Sequence, residues 1–443
     1  MTSAGLGGAY HKLFAAATVS NLGDGVAQIA YPWLASAVTR NPVLVAVVIV
    51  AQRLPWLVFS LPAGVITDRR DRRRLMIAMN VSRAVLTVGV ALAVLARRDD
   101  LPSPDAVAQA SAAVSTDAGL YLIVVAATLL LGMAEVLHDN SAQTFLPSIV
   151  PPASLERANG RLWSAEQTAN AFLGPPLGAV LLSIGYAVPF VFDAGTFAVS
   201  AALVSLIPAA SGRRAAPPTV APAGQRGWRA ELAEGFRWLW RHPLLRSMAI
   251  ILGLLNALGM MTLAVLVLFA QEILDTNATE FALLTTSGAV GAIVGGWSAA
   301  RIAARLGPGR SLWLTLLGGG AATAAVGLMS WWPAVWVAFA VYASTAILWN
   351  VITVSLRQRI IPDHLLGRVN SVYRFFGWGM IPLGSLAGGV LVVGLDAVTS
   401  REWALRLPWL IAGALHVVVW VFAAPRLTSE AMQAAEREAV SGR

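Results

Sequence analysis

Apolar runs of about 20 residues, the length a helix needs to cross a hydrocarbon core of ~30 Å, recur from one end of the chain to the other. No feature constrains the fold more, because inside a bilayer every backbone N–H and C=O must be paired within the protein. Each run therefore predicts a helix. Spans are expected at residues 13–38, 43–67, 75–96, 119–146, 158–182 and 188–208, then at 247–270, 281–305, 311–330, 334–356, 368–393 and 403–424. Charged residues fill only 12% of the 443 positions and hydrophobic ones 57%, whereas a soluble domain carries roughly 25% charge. The chain reads as an all-α membrane protein with twelve transmembrane helices, and its first partner is the lipid bilayer.

A net charge of +9 would suggest nucleic acid in a soluble chain. Here the arginines sort by side instead. Loops after even-numbered spans hold Arg69, Arg70 and Arg72 to Arg74, then Arg157, Arg161, a run between Arg213 and Arg246, Arg301, Arg305, Arg310, Arg357, Arg359 and Arg368. Loops after odd-numbered spans hold Arg40, Arg97, Arg98, Arg401 and Arg406. The positive-inside rule then places both termini in the cytoplasm, in an inner (plasma) membrane, and no nucleic-acid partner is needed. The first apolar run is longer than a signal-peptide core, so no cleavable signal is expected. The chain has no cysteine, which excludes disulfides and thiolate metal sites.

The two halves repeat. "IVPPASLERANGRLW" (149–163) and "IIPDHLLGRVNSVYR" (360–374) align at a constant offset that pairs Pro151 with Pro362, Arg157 with Arg368, Asn159 with Asn370 and Gly178 with Gly389. The expected organisation is a six-helix bundle at 1–208, a cytoplasmic linker at 209–246, a pseudo-symmetric six-helix bundle at 247–425 and a cytoplasmic tail at 426–443. The linker opens with "SGRRAAPPTVAPAGQRG", a flexible composition. It continues as an amphipathic helix that would lie on the inner leaflet or pack on the bundle as a connector. Parallel repeats joined by a basic linker are a layout of secondary transporters, with substrate bound near mid-membrane.

Between the second and third spans stands "GVITDRRDRRRLM". Topological anchoring explains its arginines, but acids contribute little to topology. Asp68 at the end of a span, with Arg69, Arg72 and Arg73 after it, reads better as a charged gate. Gly64, one turn earlier, would let helices approach closely. Gly64, Asp68, Arg69, Arg72 and Arg73 resemble the Gly-x-x-x-Asp-Arg-x-Gly-Arg-Arg signature of the major facilitator superfamily, and the resemblance extends over essentially the whole chain. It implies the twelve-helix fold of that family and a cluster that holds the cytoplasmic side closed. Asp71 stands where the signature has its second glycine, a departure at the turn itself, since glycine reaches backbone angles that aspartate reaches less easily. "SNLGDGVAQIAYPWLA", "AQRLPWLVFSLPAGVITDRRDRRRL" and "EGFRWLWRHPLLR" resemble the exporter branch that includes enterobactin and macrolide exporters. In span five, Gly174, Pro175 and Gly178 match the antiporter pattern Gly-x-x-x-Gly-Pro-x-x-Gly-Gly, with Asn170 and Ala179 in place of two glycines.

A charge inside a span is costly, and its first reading is functional. At 1.5 Å per residue, Asp24 lies about 16 Å into span one and Arg53 about 21 Å into span two. An Asp24–Arg53 ion pair is expected. Span four carries Glu135, His138 and Asp139 one turn apart on overlapping faces. Span five carries Glu166 and span six Asp193, whereas the second half's spans contain no acid. Proton coupling is therefore assigned to the first half: Glu135 first, Asp139 second, then Asp24 and Glu166, with His138 tuning them. Adjacent ligands seldom converge on one ion, so no metal is expected there, nor any cofactor.

Together with these residues, the resemblance implies a monomeric secondary exporter, a proton antiporter of amphipathic small molecules such as drugs, siderophores or related metabolites. Apolar walls suit such cargo. A dedicated exporter or flippase of a lipid or single metabolite would use the same pocket. A receptor or assembly factor on a transporter fold is the rival of another class. An enzyme or a nucleotide-driven pump is not expected: the phosphate-binding loop needs a lysine, and the only one is Lys12.

Overall fold

Capping residues and prolines cut the apolar runs into helices. Asn41 accepts from the Val43 and Leu44 N–H groups at 2.9 and 3.4 Å to start one helix, and Asp117 starts another through Gly119 and Leu120. Asn277 and Glu280 form a reciprocal box, with Asn277 Oδ1 capping Glu280 N–H at 3.0 Å and Glu280 Oε2 accepting from Asn277 N–H at 3.0 Å. The computed structural model of the protein describes residues 6–104, 106–107, 116–151, 154–208 and 228–441. Among the described residues it is helical throughout, with no strand. The linker stretch 209–227, expected to be flexible, lies outside them.

The elements are α1 (Gly7–Val38), α2 (Pro42–Val58), α3 (Ser60–Arg69), α4 (Arg72–Ala96), α5 (Ala118–Ile149), α6 (Leu155–Glu166), a π-helical segment (Gln167–Leu173), α7 (Gly174–Ile184) and α8 (Ala187–Ser205). After the linker come α9 (Trp228–Arg241), α10 (Pro243–Leu263), α11 (Leu266–Glu272), α12 (Ala278–Leu306), α13 (Pro308–Leu328), α14 (Trp332–Ile360), α15 (Asp363–Asp396), α16 (Arg401–Ala423) and α17 (Ser429–Ser441). Every expected span falls on helix. Among the described residues, nine helices are long and apolar enough to cross a membrane. The remaining three expected spans depart for identifiable reasons. α1 carries Asn21, Asp24 and Gln28 along its length. The second breaks at Phe59, where Pro62 cannot donate to the Val58 carbonyl. The fifth is interrupted by the π-helical segment. There Pro175 and Pro176 remove the N–H groups that would bond Ala171 and Phe172, and the backbone widens instead.

The chain divides into two compact units: Met1–Thr219 with Asp275–Thr286, and Val220–Leu274 with Ser287–Arg443. In the first, α1 packs along α8 and α7, and α4 lies between α8 and α5. Tyr10, Leu13, Met76, Phe145 and Val204 fill the core at one end of these helices. In the second, α10 packs on α15, and α13 packs on α14 and α16. The linker helix α9 docks on α15. Glu234 pairs with Arg368 at 2.9 Å, Gly235 lies against the Arg368 backbone, and Phe236 and Trp240 stack near Phe376. It is a connector packed on its bundle. In the tail, α17 is held by Glu436 to Arg359 at 3.0 Å.

Candidate functional site

The charged residues of the first unit converge from four helices. α1 brings Asp24, α4 brings Asn80 and Arg83, α5 brings Glu135, His138 and Asp139, and α8 brings Asp193 and Ser200. Gly23 makes the convergence sterically feasible, because any Cβ there would collide with Thr196 Oγ1 and Asp193 Oδ1 of α8. Arg83 is the hub. It is 3% exposed, its guanidinium lies 3.9 Å from the Phe197 ring centroid, and it donates to Ser20 Oγ at 3.4 Å and to the Asp24 carboxylate. Asp24, Glu135, Asp193 and Asp139 all lie within electrostatic reach of this one guanidinium. Asn80 Nδ2 donates to Ser200 Oγ at 3.0 Å and sits 3.4 Å from His138 Nε2, while His138 Nδ1 is 3.2 Å from Asp139. Asp193 is 2% exposed, and neither its Oδ1 nor Arg83 Nε has a hydrogen-bond partner among the described residues.

Asp24 is thus paired, but with Arg83 rather than Arg53. Depth along a helix fixes height and not the direction a side chain faces. α2 packs on α5, and Arg53 is exposed. The structure brings Asp24, Glu135, His138 and Asp139 into one cluster. Glu166 ends α6, exposed and without an ion pair among the described residues. Arg83, Asn80 and Ser200 escaped the sequence reading, although an arginine in the middle of an apolar run is itself a signal.

The basic cluster straddles the turn between α3 and α4. The Asp68 side chain lies outside the described residues. Arg72 donates to Thr144 O at 3.1 Å and Arg73 to Ser205 O, the last carbonyl of α8, where a cation meets the negative end of the helix dipole. Arg69 is exposed. Asp71 adopts φ −65° and ψ 113° and caps α4 by accepting from Arg74 N–H at 2.8 Å, so a cap replaces glycine's freedom there. Gly64 is not a close-approach point: a Cβ there would meet nothing within 4 Å. The expectation of tight packing at Gly64 is corrected.

The span-five glycines are such points. A Cβ on Gly174 would lie 2.5 Å from Gly25 Cα, and one on Gly178 would lie 2.9 Å from Val26 O. Asn170, in place of a motif glycine, accepts from Gln28 Nε2 of α1. Its backbone oxygen would be 2.6 Å from a Cβ on Gly25. α1 and the π-helical segment with α7 therefore share a seam of near backbone contact. π-helical turns mark functional sites often.

A membrane protein that is helical among the described residues and gathers charge between its spans has the build of a transporter. The Major Facilitator Superfamily profile matches residues 13–385, and the chain belongs to that family. It is 26% identical over 415 residues to the multidrug efflux pump Tap of Mycolicibacterium fortuitum, covering 91% of this chain and 94% of that one. It is 24% identical over 421 residues to the enterobactin exporter EntS of Shigella boydii, covering 93% and 92%. Among solved structures, it superposes on a bacterial homologue of the lysosomal transporter Spinster with a TM-score of 0.70 at 14% identity, covering 98% of both chains. A bacterial homologue of the iron transporter ferroportin gives 0.69 at 14% identity, covering 94% of this chain and 98% of that one. These superpositions establish the major facilitator fold.

Proposed function

We propose that the protein is a proton-coupled exporter of amphipathic small molecules, working as a monomer by alternating access in the inner membrane with both termini cytoplasmic. One observation carries the coupling: a single buried guanidinium, Arg83, serves Asp24, Glu135, Asp139 and Asp193. Two carboxylates about 6 Å apart repel by about 3 kcal/mol at an effective dielectric of about 20. Arg83 offsets one of them and Arg53 also lies within reach of Glu135, so the acids still outnumber the arginines that face them. A proton taken up on one side and released on the other is then a change of partner for Arg83. Asp24 holds Arg83 directly, which leaves Glu135 as the first proton carrier and Asp139 as the second, with His138 bonded to Asp139. Efflux as the direction agrees with the multidrug pump and the enterobactin exporter to which the chain is similar.

The test is Glu135→Gln in proteoliposomes. The variant should bind and exchange substrate, yet fail to concentrate it when a pH difference is imposed. Uphill, pH-dependent movement at the wild-type rate would remove Glu135 from the mechanism. Asp68, with Arg69, Arg72 and Arg73, is proposed as the cytoplasmic gate. Asp68→Asn should insert normally and lose transport, and a wild-type transport rate would sink that assignment.

A further inference from the structure

Beside α1 and α6 lies a cavity of about 760 Å³, a size suited to a small-molecule ligand. Its wall includes Phe14, Thr18, Arg157, Arg161, Thr168 and Leu173, and among the described residues it carries two guanidiniums and no carboxylate. The hydroxyls of the wall donate into their own helices: Thr18 to Phe14 O at 2.8 Å, Ser164 to Gly160 O at 2.9 Å and Thr168 to Ser164 O at 2.8 Å. They therefore present lone pairs to the cavity, and the arginines are its side-chain donors. Leu173 is 57% exposed, leaving an apolar surface beside them.

Topology explains arginines at a cytoplasmic helix end, but the repeat separates the two. Arg157 corresponds to Arg368 of the second half, whereas Arg161 corresponds to Val372, which is buried in the core of its own unit. A bundle end of this design forms with valine at that place. Arg161 is exposed, lines the cavity and has no ion pair among the described residues.

We infer that this cavity takes an anionic amphipath: a small molecule whose apolar body lies against Phe14 and Leu173 and whose carboxylate, phenolate or comparable anion meets Arg161 and Arg157. A planar guanidinium recognises such oxygens through paired donors, whereas no carboxylate among the described lining residues offers a cation a partner of full charge. This names the charge class of the cargo and rests on the export reading above.

Binding to the purified full chain in detergent, without any gradient, tests it. Carboxyfluorescein is the anionic probe and ethidium the cationic one, each read by fluorescence polarisation. Arg161→Glu should weaken carboxyfluorescein about tenfold or more, the worth of one charge-assisted contact, and strengthen ethidium. Arg161→Lys should retain the preference for the anion. If Arg161→Glu leaves both dyes unchanged, or moves both in the same direction, the cavity does not select by charge and the inference falls. If phosphatidylglycerol displaces the dye at a few lipids per protein, the anion recognised is a headgroup and the small-molecule assignment falls. The export reading fails separately: it is lost if wild-type vesicles move neither dye in response to pH, whatever the binding shows.

Discussion

Two buried arginines, one in each unit, do opposite work. Arg406 in α16 is 7% exposed and saturates the end of α13, donating to Gly327 O and Met329 O at 3.0 Å each and to Ser330 Oγ at 2.6 Å, with Glu402 at 2.9 Å. Its charge is spread over carbonyls that no helix bond uses, and nothing in that arrangement exchanges. Arg83 in α4 bonds one carboxylate while three others lie within reach. Its surroundings carry more negative charge than one cation can offset. Arg401 of the same unit likewise pairs at helix ends, with Glu272 and Asp396. Saturation makes an arginine structural, and a surplus of acids makes it a candidate switch.

The largest test of this contrast is Arg83→Gln. Removing Arg83 strands Asp24, whose side chain is 28% accessible, so the cost stays below the roughly 3–5 kcal/mol of a fully buried pair. The thermal midpoint in detergent should fall steeply, and pH-driven transport should vanish. Asp24→Asn added to Arg83→Gln should recover much of the folded yield, because the stranded charge is gone. Simple addition of the two losses would mean that Arg83 and Asp24 are not coupled. Arg406→Gln should cost about 1–3 kcal/mol through unpaired helix-end acceptors, yet the transport that remains should keep its wild-type pH profile. A shifted profile would erase the distinction between the units. The smallest effects compare two glycines within the first unit. Gly25→Val should destabilise by about 1–3 kcal/mol through overlap with Asn170 and Gly174, and Gly64→Ala should be neutral or gain up to about 1 kcal/mol of helix stability. Equal effects at both would show that the α1–α7 seam is no tighter than the end of α3.

The repeated motif around Arg157 and Arg368, the placement of the spans and the concentration of acids in the first half were legible because they are properties of composition and spacing along one strand of chain. Glu135, His138 and Asp139 share a face by helical periodicity alone, so their meeting was also readable. Gly64 misled because a glycine in a motif signals permission for close approach, and only a neighbour makes use of it. Asp71 was legible as a departure, but its service as the cap of α4 needed the local backbone. The double proline at Pro175 and Pro176 marks a weak point in span five, without telling that the turn widens into a π-helix rather than kinking.

The sequence by itself determined that this is a helical membrane protein, how its spans are spaced and which half holds the acids, because hydropathy and charge act residue by residue and add along the chain. Tertiary structure decided that Asp24 meets Arg83 instead of Arg53, that Gly25 and Gly174 touch while Gly64 does not, and that Asp193 is sealed beside α1. Each of these depends on how a helix is rotated about its axis and which neighbour it packs against. Rotation is set by side chains far apart in the chain that must fill one space together.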